Sequence, residues 1–124
     1  MTNQDRRDDL SFRHMLDHAR DIVELSRGRT REVLETDRLY QLAMARAVEV
    51  IGEAANRISA ERRAIHPEIP WPSIIGMRNR LIHGYDALNL DIVWQTISES
   101  VPSLLLLLEP IVAEIDRRTS LSDS

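Results

Sequence analysis

The chain has 124 residues, 43% of them hydrophobic, and a formal net charge of −4 at pH 7, enough for one core and too little for two ordinary domains. Four glycines and five prolines leave few turns, which argues against a β-sandwich or barrel. Cysteine is absent and every basic residue is arginine, which excludes disulfides, thiolate metal sites, a cysteine nucleophile, Schiff-base lysines and the P-loop lysine, while the acidic balance excludes a globally basic nucleic-acid binder.

Helical periodicity dominates from the start. Phe12, Met15, Leu16, Ala19, Ile22 and Val23 share one face of a first helix that Ser11 or Asp9 can cap and that Arg27-Gly28-Arg29 ends. A second helix is predicted from about Thr36 to Ile65, with Leu39, Ala43, Ala47, Val50, Ala54 and Ile58 as its apolar stripe and Asp37 in its opening turn. Gly52 costs that helix about 1 kcal/mol relative to alanine unless another helix packs close to it. His66 to Pro72 holds three prolines and is a rigid connector. Ser73 then opens a short helix that should stop near Gly84.

The last helix should begin at Asn89 or Asp91, with Leu90, Val93, Ile97, Val101, Leu104, Leu108, Ile111 and Ile115 at steps of three and four. Pro102 and Pro110 should kink or divide it, and residues beyond Thr119 should fray. The Leu104–Leu108 run is apolar all round, which predicts burial on two sides, one of them against a second subunit. It is also the longest purely apolar run, far short of the ~20 residues a bilayer span needs. The polar N-terminus is unlike a signal peptide, so a soluble intracellular protein is expected. No stretch alternates with period two. The pattern predicts an all-α, antiparallel bundle of four to five helices, a single domain over residues 1–124 with its core at about 10–118.

The densest polar cluster after the N-terminus is Arg78-Asn-Arg-Leu-Ile-His-Gly-Tyr-Asp86. On one straight helix Asn79 and His83 share a face, whereas Arg78 and His83 diverge by about 140°. Bringing Arg78 and His83 to one atom needs either an unwound helix end or a second copy across a two-fold axis. Histidine can take a proton from a ribose 2′-hydroxyl near neutral pH, and arginine can clamp a phosphate and stabilise the charge developing on it. Such a pair suits RNA phosphodiester chemistry without a metal, with Asn79 orienting the ring or binding the ribose. The spacing alone equally fits two surface arginines and a histidine that ends a helix.

Arg78-x4-His83-x-Tyr85 resembles the signature of the HepT-like branch of the HEPN superfamily. The surroundings are similar too: Ile51-Gly-Glu-Ala-Ala55 on the long helix, Ile69-Pro-Trp71 followed by Ile74 to Asn79, then Asp91-Ile-Val-Trp94 and Val101-Pro102, in the family's order from about Phe12 to Ile115. The resemblance implies a homodimeric helical bundle, a metal-independent ribonuclease toxin without cofactors, and a nucleotidyltransferase antitoxin as partner. It implies RNA, not DNA or a membrane, as the target. Arg78 and His83, with Asn79 in support, become the catalytic set, Arg78 and Arg80 the RNA contacts, and Tyr85 the residue the antitoxin adenylylates. Asp86 departs from the pattern, standing where an aromatic or apolar residue is common. The other functional class consistent with these residues is a non-catalytic nucleotide-binding or scaffold subunit of the nucleotidyltransferase.

Other groups point to blander roles. His14 and His18 sit four apart near Asp17 and Asp21, but a third metal ligand is not evident. Glu53 suits an interhelical contact. Trp71 and Trp94 lie in apolar contexts and read as core or interface anchors. Arg6-Arg7, Arg62-Arg63 and Arg117-Arg118 can steer RNA, but each has acids nearby.

Overall fold

The computed structural model describes residues 1–83 and 87–123. The chain begins with a long helix α1 (Asn3–Ser26), a single-turn-and-a-half α2 (Arg31–Thr36) and a second long helix α3 (Arg38–Arg57). Short helices α4 (Ala60–Ile65), α5 (Trp71–Ile75) and α6 (Met77–Leu81) lead into a two-stranded hairpin, β1 (Ile82–His83) and β2 (Ala87–Leu88). Helix α7 (Leu90–Gln95) then passes through a wide π turn at Thr96–Ser100 into α8 (Val101–Asp123). The all-helical expectation holds apart from the hairpin, whose two-residue strands are too short to show as alternation in sequence.

Helix α1 starts far earlier than Ser11 or Asp9. Thr2 accepts from the Asp5 amide while the Asp5 carboxylate accepts from the Thr2 amide, a reciprocal cap on the exposed helix end. Those bonds, the backbone one foremost, hold the Asp5 carboxyl below the usual carboxylate range. Ser11 is instead buried inside the helix, and Asp9 pairs with Arg62. At the other end Gly28 takes φ +75°, the left-handed geometry that stops the helix.

The predicted second helix is two helices. Asp37 caps α3 through the Tyr40 amide, but the helix ends at Arg57, because Ile58 turns extended and Ser59 caps α4 by accepting from the Arg62 amide. A buried carboxylate enforces that break. Asp8 on α1 accepts from the Ser59 amide at 2.9 Å, the Ser59 hydroxyl at 2.7 Å and the Gln4 amide at 2.9 Å, so no lone pair facing the interior is wasted. The predicted apolar stripe holds at its C-terminal end, where Ala54 and Ile58 are buried. At the start of the helix the core face is one residue on, with Tyr40, Met44 and Val48 buried and Leu39 77% exposed.

Asp8 at the Ser59 turn and Tyr40 donating to Ser26 join opposite ends of α1 and α3, so the two run antiparallel. Arg13 pairs with Asp116, and Val23 lies beside Ile97, so α1 and α8 are antiparallel as well. The core between them is aliphatic, with Phe12, Met15, Ile22, Leu34, Ile51 and Leu108 fully enclosed. The Leu104–Leu108 run contributes Leu104 and Leu108 to that core, while Leu106 remains 72% exposed. Leu90–Leu121 has the length and mean hydropathy of a bilayer span, but its apolar stripe forms one wall of the core. Helix α8 continues to Asp123, past the expected fraying point, and Pro110 sits inside it.

Candidate functional site

The connector after α4 is fixed by the Trp71 indole, which donates to the Arg63 and His66 carbonyls and lies edge-on to Phe12. That places α5 across α3 at Gly52. A Cβ there would lie 3.0 Å from the Ile74 carbonyl oxygen, so any larger residue would push the α5 backbone away from α3. This is the close approach that offsets the cost of a mid-helix glycine. Glu53, the next residue, pairs with Arg46 at 3.3 Å on the outside of α3.

Helix α6 follows directly from α5 and buries Met77 and Leu81, which leaves Arg78, Asn79 and Arg80 on the exposed side. The segment from Ile69 to Tyr85 contains no carboxylate, so this short helix is a basic island in an acidic protein. Arg78 makes no hydrogen bond or ion pair among the described residues. Arg80 is partly committed, because its guanidinium donates to the Ser73 carbonyl at 2.9 Å and the Ser73 hydroxyl at 3.1 Å.

The helix does not reach Gly84. It stops at Leu81, whose carbonyl accepts from the Asn89 amide at 2.7 Å, and the chain continues as a strand with Ile82 opposite Leu88 and His83 opposite Ala87. The 140° divergence expected for a continuous helix therefore does not apply to Arg78 and His83, since β1 carries His83 away from the helix axis. Asn89 also caps α7, accepting from the Ile92 amide, so one residue closes the hairpin and starts the next helix. Its place at the expected start of the last helix was visible in sequence, whereas its bond to Leu81 was not. The His83 side chain and residues Gly84, Tyr85 and Asp86 lie outside the described residues.

The secondary candidates resolve into ordinary structure. His18 bonds the His14 carbonyl at 2.9 Å, as a helical neighbour does, and the described residues contain no cluster of three metal-ligating side chains. Arg62 and Arg118 face Asp9, Arg63 donates to the Ile58 carbonyl, and Arg117 pairs with Glu114. Arg6 and Arg7 are exposed. Trp71 is a core anchor, but Trp94 is only partly buried and borders an open groove. Beside α6, a second groove of about 170 Å³ between α3, α5 and α8 is lined mainly by Ile51, Ile74, Met77, Val101, Leu104 and Leu107.

A mostly helical chain with its Arg-x4-His segment at the junction of a short helix and a hairpin is consistent with the all-α family that the sequence resembles. The family model described as Ribonuclease HepT-like matches residues 15–111. The chain belongs to that family. It is 38% identical over 98 residues to a Thermococcus cleftensis protein named "Probable ribonuclease HepT", covering 76% of this chain and 89% of the relative. It is 36% identical over 91 residues to a protein of Caldanaerobacter subterraneus subsp. tengcongensis named "Putative RNase", covering 73% and 81% respectively. No solved structure matches the chain.

Proposed function

We propose that this protein is a metal-independent endoribonuclease toxin, in which His83 moves the proton of the ribose 2′-hydroxyl and Arg78 holds the scissile phosphate. The observation that carries the reading is the α6–β1 junction. It presents Arg78 with no carboxylate partner among the described residues, and its change from helix to strand frees His83 from the helical phase. A guanidinium without a competing carboxylate is available for bidentate contact with phosphate and for the negative charge that grows on it. Asn79 supports the ribose or the imidazole, and Arg80, braced by Ser73, contacts the strand alongside. Two copies related by a two-fold axis would bring two such junctions together, and the apolar groove beside α6 is surface that such a pairing would cover.

In a reaction of this kind the 2′-oxygen attacks phosphorus, the 5′-oxygen leaves, and the proton released at the first is returned at the second. Imidazole suits both halves, because its two protonation states are both populated near pH 7. The purified protein is expected to cleave single-stranded RNA in the presence of excess EDTA. Cleavage that EDTA abolishes and added divalent metal restores would replace this mechanism with a metal-dependent one.

The partner in this reading is a cytoplasmic nucleotidyltransferase antitoxin that adenylylates Tyr85. An adenylyl group two residues from His83 adds a bulky anion where substrate phosphate must sit. Intact-mass measurement on protein co-expressed with that partner should show one or more adenylyl additions that disappear in Tyr85→Phe. Unmodified mass under co-expression would remove the regulatory step.

A further inference from the structure

The connector Arg27-Gly28-Arg29-Thr30-Arg31 has no part in the chemistry above beyond ending α1. Its setting is distinctive. Arg27 and Arg29, together with Ser26 at the end of α1, line an open groove with Trp94, Ile97 and Ser98. Trp94 is partly buried, and its indole N–H has no acceptor among the described residues, yet no buried side-chain nitrogen or oxygen there lacks a partner, so that N–H reaches solvent. Trp71, by contrast, spends its N–H on two carbonyls. Arg29 pairs with no carboxylate among the described residues and lies over the Tyr40 ring at 4.8 Å, while Arg27 makes only an exposed pair with Glu24 at 3.1 Å.

Helix α7 runs from the hairpin to this groove, past a second, separate depression. Arg31, at the far end of the connector, bonds Asp91 on α7 and borders a shallow depression with Leu88, Asn89 and Leu90. Asp91 and Trp94 lie three residues apart on the same side of α7, about 5 Å along its axis. Leu88 pairs with Ile82, the neighbour of His83. A strand lying along α7 would therefore pass from the Trp94 groove to the β hairpin.

We propose that this groove is an accessory RNA subsite, in which an unpaired base flanking the scissile bond stacks against Trp94 and its phosphates are held by Arg27 and Arg29. The inference rests on the ribonuclease reading and adds to it the class of substrate, a strand with at least one unstacked base beside the cleavage point. A partly exposed indole beside two guanidiniums, one with only a solvent-exposed carboxylate partner and one resting on an aromatic ring, suits single-stranded nucleic acid. The ring accepts any base, and the cations take the backbone. Paired bases in a duplex offer no free face for that stacking contact.

The experiment uses the full chain carrying His83→Ala, so that binding is read without cleavage. A fluorescent single-stranded oligoribonucleotide is titrated by anisotropy, and tryptophan emission is followed in parallel. In that background Arg27→Gln with Arg29→Gln is expected to weaken binding roughly tenfold and to flatten the salt dependence by the equivalent of two phosphate contacts. RNA should quench the Trp94 emission, a signal absent in Trp94→Phe, which keeps a ring in place and preserves the fold. Unchanged affinity in the double variant, or quenching that persists in Trp94→Phe, overturns the subsite. In the otherwise unaltered chain with His83 present, a loss of cleavage confined to low RNA concentration supports the subsite. A chain that binds RNA here yet never cuts it would fail the ribonuclease reading and leave the groove standing.

Discussion

Replacing His83 by alanine is expected to reduce RNA cleavage by about 10²- to 10⁴-fold, the range a positioned proton-transfer group supplies. Growth inhibition on expression should disappear with it. Stability should change little, because the backbone pairing of Ile82 with Leu88 and the Leu81–Asn89 bond hold β1 in place. Arg78→Ala should lose about 10²- to 10³-fold, the scale of one transition-state hydrogen-bond donor. If the two residues serve one phosphate across a two-fold axis, mixing the two inactive variants rebuilds an intact site in the heterodimer and restores measurable cleavage. Mixing that restores nothing places both groups in one protomer. Full activity in His83→Ala ends the proposed mechanism.

The second large effect is on stability, and it concerns a residue with no part in the chemistry. Asp8→Ala should destabilise the fold by about 3 kcal/mol, because three hydrogen bonds to a buried carboxylate are lost and the Ser59 amide is left without an acceptor. For a domain of this size that is a fall in melting temperature of roughly 10 °C by circular dichroism. Asp8→Asn keeps one acceptor oxygen and should cost distinctly less. A change below about 1 kcal/mol in Asp8→Ala would mean that water replaces the carboxylate at the α3–α4 turn.

These two residues mark what can be read from sequence and what cannot. The face of α1 was legible, since Phe12, Met15, Leu16, Ala19 and Ile22 repeat at helical steps and all are buried. So was the need for close packing at Gly52. The phase of α3 was not, because alanines and leucines occur all round it. A stripe through Leu39 and Ala43 matches the period as well as the true one through Tyr40 and Met44, and only burial separates them. The break at Ser59 was hidden for another reason: its decisive partner, Asp8, is 51 residues away. The early end of α6 has the same origin, with no glycine or proline at Leu81 and the terminating bond arriving from Asn89. The Arg78–His83 segment stood out by residue type and by family likeness, whereas its change from helix to strand depended on that distant amide.

The wide turn at Thr96–Ser100 has a geometric meaning of its own. A regular helix locks every side chain to its predecessors at about 100° per residue, so whatever α7 presents would dictate what α8 presents twenty residues later. Five residues wound as π absorb roughly one residue of excess and reset the angular count. Val93 before the turn, Ile97 within it and Leu104, Leu108 and Ile115 after it all reach the core, while the half-buried Trp94 also borders the groove beside Arg27 and Arg29. The turn acts as a phase joint. It lets one continuous rod build two surfaces whose orientations would otherwise be coupled, so that the leucine-rich wall and the tryptophan groove can each vary in sequence without turning the other.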